Sequence, residues 1–403
     1  MQKIYNTVII GGGAAGLTCA VELLRGENAL HGTDVLILER NDRVGKKLIA
    51  TGNGQGNLMN EKFGEEYYYG DKAFIKAFVS LAKEINLKKY FLELGIPVSA
   101  GKDGKIYPLS KQASAVLDII RAYLEYKECT IMTGKRVSKI TKANEGYEVF
   151  VGSEKFLAKH VVFAAGGAAG KQFGTDGTAY QLVESLGHKK TELYPSLVQL
   201  KTQTDKIKGL KGIKETARVT AFDGAKPLMS VEGDLLFTEY GVSGSTIFSL
   251  SAAVADKKDA YLIIEFLPTL TYSQTEKVVG DRIDKPYFKK EELLAGIVNK
   301  KVGQAVIKNS RSFTPSDIAY VIKNFKLKVT GTLDFSHAQV TRGGIKTDKI
   351  DSNTFESKLK SKLYIIGEAL DVDGDCGGYN LTFAFVSAIT SARAIKANTE
   401  KVG

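Results

Sequence analysis

The run GGGAAG at residues 11–16 constrains this chain more than any other feature. An apolar, β-branched run at 7–10 precedes it, a stretch of helical periodicity at 14–24 follows, and a second buried-strand run lies at 35–38. In that setting each glycine has a separate task. Gly11 allows the tight turn, Gly13 lets the backbone approach a pyrophosphate, and Gly16 permits close helix–strand packing. Ala14 and Ala15 open a helix whose free N–H groups and positive dipole end attract an anion. Glu39 closes the second strand, 23 residues beyond Gly16. A carboxylate there accepts both hydroxyls of an adenosine ribose and repels a 2′-phosphate. The unit therefore predicts a dinucleotide, either NAD or FAD.

A second segment decides between them. In LYIIGEALDVDGDCGGYNL, residues 363–381, an apolar strand at 363–366 ends in Gly367-Glu368. An acid-rich turn, Gly377-Gly378-Tyr379-Asn380 and a helix-like run at 381–395 follow. A carboxylate at a strand end can hold the middle of an extended cofactor, and a fresh helix start near Asn380 can stabilise charge on a reduced flavin. A dehydrogenase using NAD alone has no need of a second grip so far along the chain. FAD is the predicted cofactor.

Two further glycine-rich pieces fit that reading. VVFAAGGAAG at 161–170 imitates a nucleotide turn, but Ala165 replaces its first glycine and no strand with a terminal acid follows. It is expected to flank the first cofactor, leaving any NAD(P)H to dock transiently. GKKLIATGNGQGNLMN at 45–60, with Lys46 and Lys47, suits a loop passing under a flat ring and a phosphate.

Between the two cofactor segments the texture changes. Residues 191–266 read as strands with little helix, at 197–200, 217–222, 235–238 and 261–266, which predicts a small β-barrel or sandwich. A helical block spans 275–325, with one start signalled by Thr314 as cap, Pro315 at the first position and Asp317 in the first turn. Strand texture resumes at 327–333. The expected architecture is α/β, a Rossmann-like FAD domain in two segments, 1–190 and 341–403. Inserted in it are a β-barrel, 191–272 with 326–340, and a helical subdomain, 273–325.

Composition bounds the rest. The chain of 403 residues, 43% hydrophobic and 25% charged, is globular in character. Its cysteines, Cys19, Cys129 and Cys376, and its four histidines are scattered, so no metal site is expected. Strand-like residues begin by Ile4 and no apolar run reaches the roughly 18 residues of a membrane span. A cytoplasmic location without membrane contact is expected. The net charge of +11, concentrated between Lys285 and Lys328, motivates a hypothesis of another class, a flavin-bearing nucleic-acid-binding protein. Without a recognised module or aromatic–basic interleaving, no specific nucleic-acid partner is expected.

Together these residues resemble the YhiN-like, aminoacetone-oxidase-like family of bacterial FAD-dependent oxidoreductases. The likeness covers nearly the whole chain. It includes Gly174-Thr175-Asp176-Gly177, LLFTEYGVSG at 235–244 and TRGGI at 341–345. It implies cofactor contacts at Gly11, Gly13, Ala14, Ala15 and Gly16, at Glu39 and Arg40, and at Lys47, Gly52, Asn53, Gly54 and Asn57. Val137, on a strand-like stretch, would meet the adenine through its backbone. Ala165, Gly166 and Gly167 would flank the cofactor, Gly367, Glu368 and Asp371 would hold its middle, and Gly378, Asn380 and Leu381 would sit at the flavin's pyrimidine edge. The family's Arg-Cys is replaced here by Gln55-Gly56, so no catalytic residue carries over. Tyr240 and Tyr379 are candidates to stack on a small-molecule substrate. The resemblance leaves two chemistries open: an NAD(P)H-dependent reductase of an unsaturated or carbonyl compound, and an amine oxidase using oxygen.

Overall fold

The computed structural model describes residues 2–101 and 103–400. It divides into two compact units, Met1–Leu193 with Val340–Gly403, and Tyr194–Gln339.

In the first unit, β1 (Ile4–Ile10) is flanked by β2 (Val35–Leu38) and by the strand Glu154–Phe163, all parallel. Thr130–Met132 extends the sheet beyond β2, and Leu363–Ile365 joins Glu154–Phe163 near its end. These strands are apolar on both faces because helices cover both sides of a parallel sheet. Two antiparallel strands, Gly146–Val151 and Lys139–Ala143, complete it. The register aligns the strand ends. Leu38 pairs with Met132 and Ile10, Ile10 pairs with Phe163, and Phe163 pairs with Ile365. Five parallel strands therefore finish in one line, and the loops leaving that line are where an open α/β sheet binds its ligand.

The helix α1 (Ala14–Leu23) packs along Tyr379–Glu400, from the far end of the chain. Glu22 pairs with Arg393 at 2.9 Å, and Lys396 donates to the Arg25 carbonyl.

In the second unit, six antiparallel strands close a barrel in the order Leu200–Thr202, Gly241–Ser243, Lys226–Phe237, Lys214–Asp223, Ala260–Glu265 and Phe325–Thr332. Phe325, Leu327 and Val329 alternate inward with Lys326 and Lys328 outward, the period-2 pattern of a half-buried strand. Helices Tyr272–Ile283, Lys300–Asn309 and Pro315–Lys323 share the barrel's core through Val279, Val302, Val306, Ile318 and Ile322. Thr314 caps the last of these as its spacing predicts, accepting from Asp317 N.

The sequence-based expectation differs from the structure in two places here. The strand expected at 197–200 is broken by Leu197 at φ +50°, and the chain forms Tyr194–Ser196 and Leu200–Thr202 instead. A helix of ten residues, Ser245–Val254, stands in a stretch expected to hold strands with little helix. Its buried Ile247, Leu250 and Val254 have helical spacing, but apolar and small residues at almost every other position hide that period.

Candidate functional site

The five aligned strand ends release the predicted cofactor residues together. β1 leads into Gly11–Gly16, β2 into Glu39 and Arg40, Thr130–Met132 into the loop of Val137, Glu154–Phe163 into Ala165–Gly167, and Leu363–Ile365 into Gly367 and Glu368.

The glycine turn separates the roles assigned to its members. Gly11 adopts φ +108°, and a side chain there would drive a carbon to 2.5 Å from the Ala164 carbonyl oxygen. A methyl at Gly16 would lie 1.9 Å from the Gly11 carbonyl oxygen, so this glycine serves packing. At Gly13 a methyl would meet nothing within 4 Å. Gly13 is also the N-cap of α1 and no side chain caps it, so the first N–H groups of the helix have no side-chain acceptor there. An uncapped helix start beside a glycine with room above it fits a pyrophosphate.

Glu39 is 7% exposed and held from three directions. One carboxylate oxygen accepts from Gly12 N at 2.7 Å; the other accepts from Asn41 N and Asn41 Nδ2, each at 2.8 Å. A carboxylate has roughly four lone-pair sites, so the group is fixed in position while retaining capacity for a ribose hydroxyl. Lys135 N donates to the Glu39 carbonyl and Gly134 N to that of Asn41, which brings the 133–138 segment alongside. Val137 is buried there, but in a loop between strands rather than on a strand, because the sheet pairing of Thr130–Met132 ends three residues after it begins. Arg40 makes a two-pronged pair with Asp176 at 2.9 and 3.1 Å, which ties the 171–178 loop to the end of β2. That pair and two hydrogen bonds from Thr178 hold the Asp176 carboxyl well below the usual range.

The middle of the site joins distant segments. Lys47 Nζ lies 2.6 Å from Glu368 Oε2 and 3.0 Å from the Ala169 carbonyl. Glu368 Oε1 accepts from Thr341 N at 2.9 Å, and Thr341 Oγ1 accepts from both Ala168 N and Ala169 N at 2.8 Å. A carbon added to Gly167 would reach 2.4 Å from Thr341 Oγ1. Gly367, at φ +65°, touches Ala15, where an added carbon would come within 2.9 Å of the Ala15 methyl. The two cofactor segments therefore meet at the start of α1. Asp371 stands beside Thr191, its carboxyl pushed up by burial.

At the start of Tyr379–Glu400, Gly378 at φ +98° crosses the Met59 backbone, where a side chain would lie 2.6 Å from it. Asn57 receives Gly378 N at 3.2 Å and donates to the Met59 carbonyl at 3.0 Å. Asn60 donates to the Gly377 carbonyl. The 45–60 segment is an ordered loop built on left-handed residues, with Gly52, Asn53 and Gly54 at φ +57°, +54° and +83°. Asn380 uses its amide on its own turn, exchanging hydrogen bonds with Gly374 N and O at 2.8 and 2.7 Å. It shapes the loop from within; Leu381 behind it is half-buried. Tyr379 is 4% exposed and stacks on Tyr67 at 4.7 Å, so its ring belongs to an aromatic core cluster with Tyr68. Tyr240, in the second unit, is half-buried.

Beside this end lies a polar group absent from the sequence-based set. The Tyr69 hydroxyl donates to Asp375 Oδ1 at 2.9 Å. The Arg342 guanidinium lies 4.2 Å over the Tyr69 ring, and its Nε is 3.3 Å from Asp373 Oδ1. Burial pushes the Asp375 carboxyl up. Thr341, Asn41, Tyr69 and Arg342 are the residues that the sequence reading leaves without a role. Only TRGGI, which contains Thr341 and Arg342, carries a signal for them.

The sequence matches the HI0933-like protein Rossmann domain over residues 5–394. It is 34% identical to the 3-dehydro-bile acid delta(4,6)-reductase of Clostridium scindens, over 96% of this chain and 98% of that protein. It is 27% identical to the ribosomal RNA dihydrouridine synthase of Haemophilus influenzae, over 98% of this chain and 99% of that one. Among solved structures, the 3-ketosteroid delta1-dehydrogenase of Sterolibacterium denitrificans shares the fold with a TM-score of 0.50 and 14% identity, covering 98% of this chain and 100% of that one. Among the described residues no helix is long and apolar enough to cross a membrane. A nucleotide-binding turn with room for a pyrophosphate, a second grip from the far end of the chain and a family match spanning both lead to one conclusion: the chain belongs to the HI0933-like family and is an FAD-dependent oxidoreductase.

Proposed function

We propose that this protein reduces a carbon–carbon double bond conjugated to a carbonyl, with NAD(P)H as electron donor. The observation that carries the reading is the 34% identity, over 96% of the chain, to a protein named as a reductase of ring double bonds in a 3-oxo steroid. The second relative's name points the same way, since dihydrouridine is uridine with its ring double bond saturated. FAD, when bound, supplies hydride chemistry. The residues of this chain bind, orient and protonate.

Gly13 and the start of α1 hold the pyrophosphate, Glu39 the ribose, and the Lys47–Glu368–Thr341 group the middle of the cofactor. Saturating a conjugated double bond requires one proton for each hydride delivered. Asp375 is the candidate source: its carboxyl, raised by burial, retains a proton to higher pH than an exposed acid, and Tyr69 is hydrogen-bonded to it. Arg342, beside Tyr69, offers a fixed positive charge for the developing enolate oxygen.

Anaerobic mixing with NADH and with NADPH tests the reading. Rapid bleaching of the flavin, followed by recovery of its colour on adding a 3-oxo-4-ene steroid or uridine, is expected. A flavin that ignores both nicotinamides yet bleaches with small amines, and recovers in air, would identify an amine oxidase instead.

A further inference from the structure

The structure assigns a binding site for a phosphate group, carried by a monoester or free as the ion, to Lys142, Lys360 and Lys362 in the first unit. Sheet register brings these lysines together. Lys142 pairs with Tyr147 across the strands Lys139–Ala143 and Gly146–Val151, and Tyr147 pairs with Ala158 on the next strand. Directly paired residues share a face of a sheet, as do residues two apart, so His160 lies on the side of Lys142 and Tyr147. Lys362 precedes Leu363, the parallel neighbour of Val161, and its carbonyl accepts from Val161 N at 2.9 Å. That sets Lys362 beside His160. Lys142 Nζ lies 4.3 Å from the centre of the Tyr147 ring and donates at 3.1 Å to the carbonyl of Ser361, the residue between the other two lysines. The Tyr147 hydroxyl donates to the same carbonyl at 2.7 Å. The group stands where Leu363–Ile365 begins, whereas the cofactor residues Gly367 and Glu368 follow that strand's end.

Lysines on a solvated face spread apart; these are held together. All three are half-buried, and among the described residues none has a carboxylate within ion-pair distance. The turn that carries Lys360 and Lys362 is fixed by its own hydrogen bonds. Ser357 Oγ accepts from Leu359 N at 3.1 Å and Lys360 N at 3.0 Å, and Lys362 N donates to Glu356 Oε1 at 2.7 Å. Lys362 sits at φ +65°, a left-handed conformation that favours glycine, so a lysine is kept there against a backbone cost. Burial, and then the charges of Lys362 and Lys360, hold the Lys142 ammonium below its usual range, while Glu356 opposes them. Three ammonium groups against the one carboxylate of Glu356 leave an excess of two positive charges (3 − 1). A phosphate monoester answers that excess, with a charge of about −1.5 to −2 near neutral pH and three strong acceptor oxygens. A carboxylate brings a single charge and two oxygens, too few for three ammonium donors.

The site is independent of the reductase reading above. Isothermal titration calorimetry of the purified flavoprotein with inorganic phosphate, glycerol 3-phosphate and malonate, at constant ionic strength set with chloride, tests it. Saturable binding of one phosphate group per chain, tighter than that of malonate, is expected. Lys142→Gln and the double variant K360Q/K362Q should each weaken it at least about tenfold, as for lost charge-assisted hydrogen bonds. Lys142→Arg, which keeps the charge, should retain most of it. His160 gives a second readout in the parent protein, which decides the matter even where a variant fails to fold. Burial and the charges of Lys362, Lys159 and Lys142 hold its ring well below the usual range. A dianion bound among those lysines should therefore raise the pH at which the NMR signals of His160 titrate. Either phosphate ligand binding the more tightly supports the site and identifies the free ion or the ester as its occupant. No saturable binding at constant ionic strength, equal binding by the parent and K360Q/K362Q, or a His160 titration that phosphate leaves unmoved would overturn the proposal. Tighter binding of malonate than of both phosphates would overturn it as well.

Discussion

Lys47 Nζ sits 2.6 Å from Glu368 Oε2, closing a contact between two loops 321 positions apart in the chain. Both side chains are mostly buried, and each has a second partner, Ala169 O for the lysine and Thr341 N for the glutamate. Glu368→Gln keeps an acceptor for Thr341 N but removes the charge, whereas Glu368→Ala leaves the Thr341 N–H without its acceptor and the Lys47 ammonium with only the Ala169 carbonyl. We expect the glutamine variant to lose about 1 kcal/mol of stability and the alanine variant about 3 kcal/mol, with FAD retention falling in the same order. Denaturant unfolding and FAD titration of the three proteins would check this. Equal losses would mean that the acceptor for Thr341 N contributes nothing, and no loss in the glutamine variant would mean the same of the Lys47 ion pair.

Gly13 and Gly16 make opposite predictions although both belong to one motif. A methyl at Gly13 meets open space, and its φ of −86° suits alanine, so Gly13→Ala should fold like the parent and bind FAD at least about tenfold more weakly, or about 1.4 kcal/mol. A methyl at Gly16 would overlap the Gly11 carbonyl, and Gly16→Ala should destabilise the apoprotein by about 3 kcal/mol or more. Apoprotein melting separates the two. A Gly13→Ala apoprotein as unstable as Gly16→Ala would remove the case for a cofactor above Gly13.

This contrast also marks how far the sequence is legible. The roles of Gly11, Gly13 and Gly16 are local consequences of strand, turn and helix, and they survive in the fold. So does the Thr314 cap, which depends on neighbours three residues away. Thr341 is different. Its hydroxyl receives two N–H groups from a loop 172 positions earlier, and nothing in its own surroundings announces that. The helix Ser245–Val254 is hidden by its uniform apolarity, and the Lys290–Phe313 contact by the distance between its members. What sequence patterns miss here are pairings made by tertiary packing, which no local period encodes.

Asp375 gives a prediction specific to the second half of the reaction. If its carboxyl delivers the proton, Asp375→Asn should slow reoxidation of the reduced flavin by an unsaturated substrate by about 100-fold, the lower range for general acid catalysis. Reduction by NADPH should be unaffected, because that step needs no proton from this group. Tyr69→Phe, which leaves the carboxyl in place, should shift the pH dependence of reoxidation more than its maximum. Separate stopped-flow measurements of the two half-reactions check this, and equal slowing of both would assign Asp375 a structural role.

His160 supplies the clearest dependence of stability on pH. The ring lies on the strand Glu154–Phe163, only 3% exposed, and its Nδ1 has no hydrogen-bond partner among the described residues. Burial, with the positive charges of Lys362, Lys159 and Lys142 nearby, lowers its pKa to about 4. In the unfolded chain the same group titrates at about 6.5. Between those values the unfolded state binds a proton that the folded state refuses, so stability is intact above pH 6.5 and falls as pH drops toward 4. From pH 6.5 to 5.0 the loss from this residue approaches about 2 kcal/mol. Buried His188, lowered in the same direction, adds to it. His160→Gln cannot titrate, and its unfolding free energy in urea should decline less steeply over that range by about that amount. Parallel pH profiles for the parent and the variant would show that His160 accepts its proton without leaving the fold.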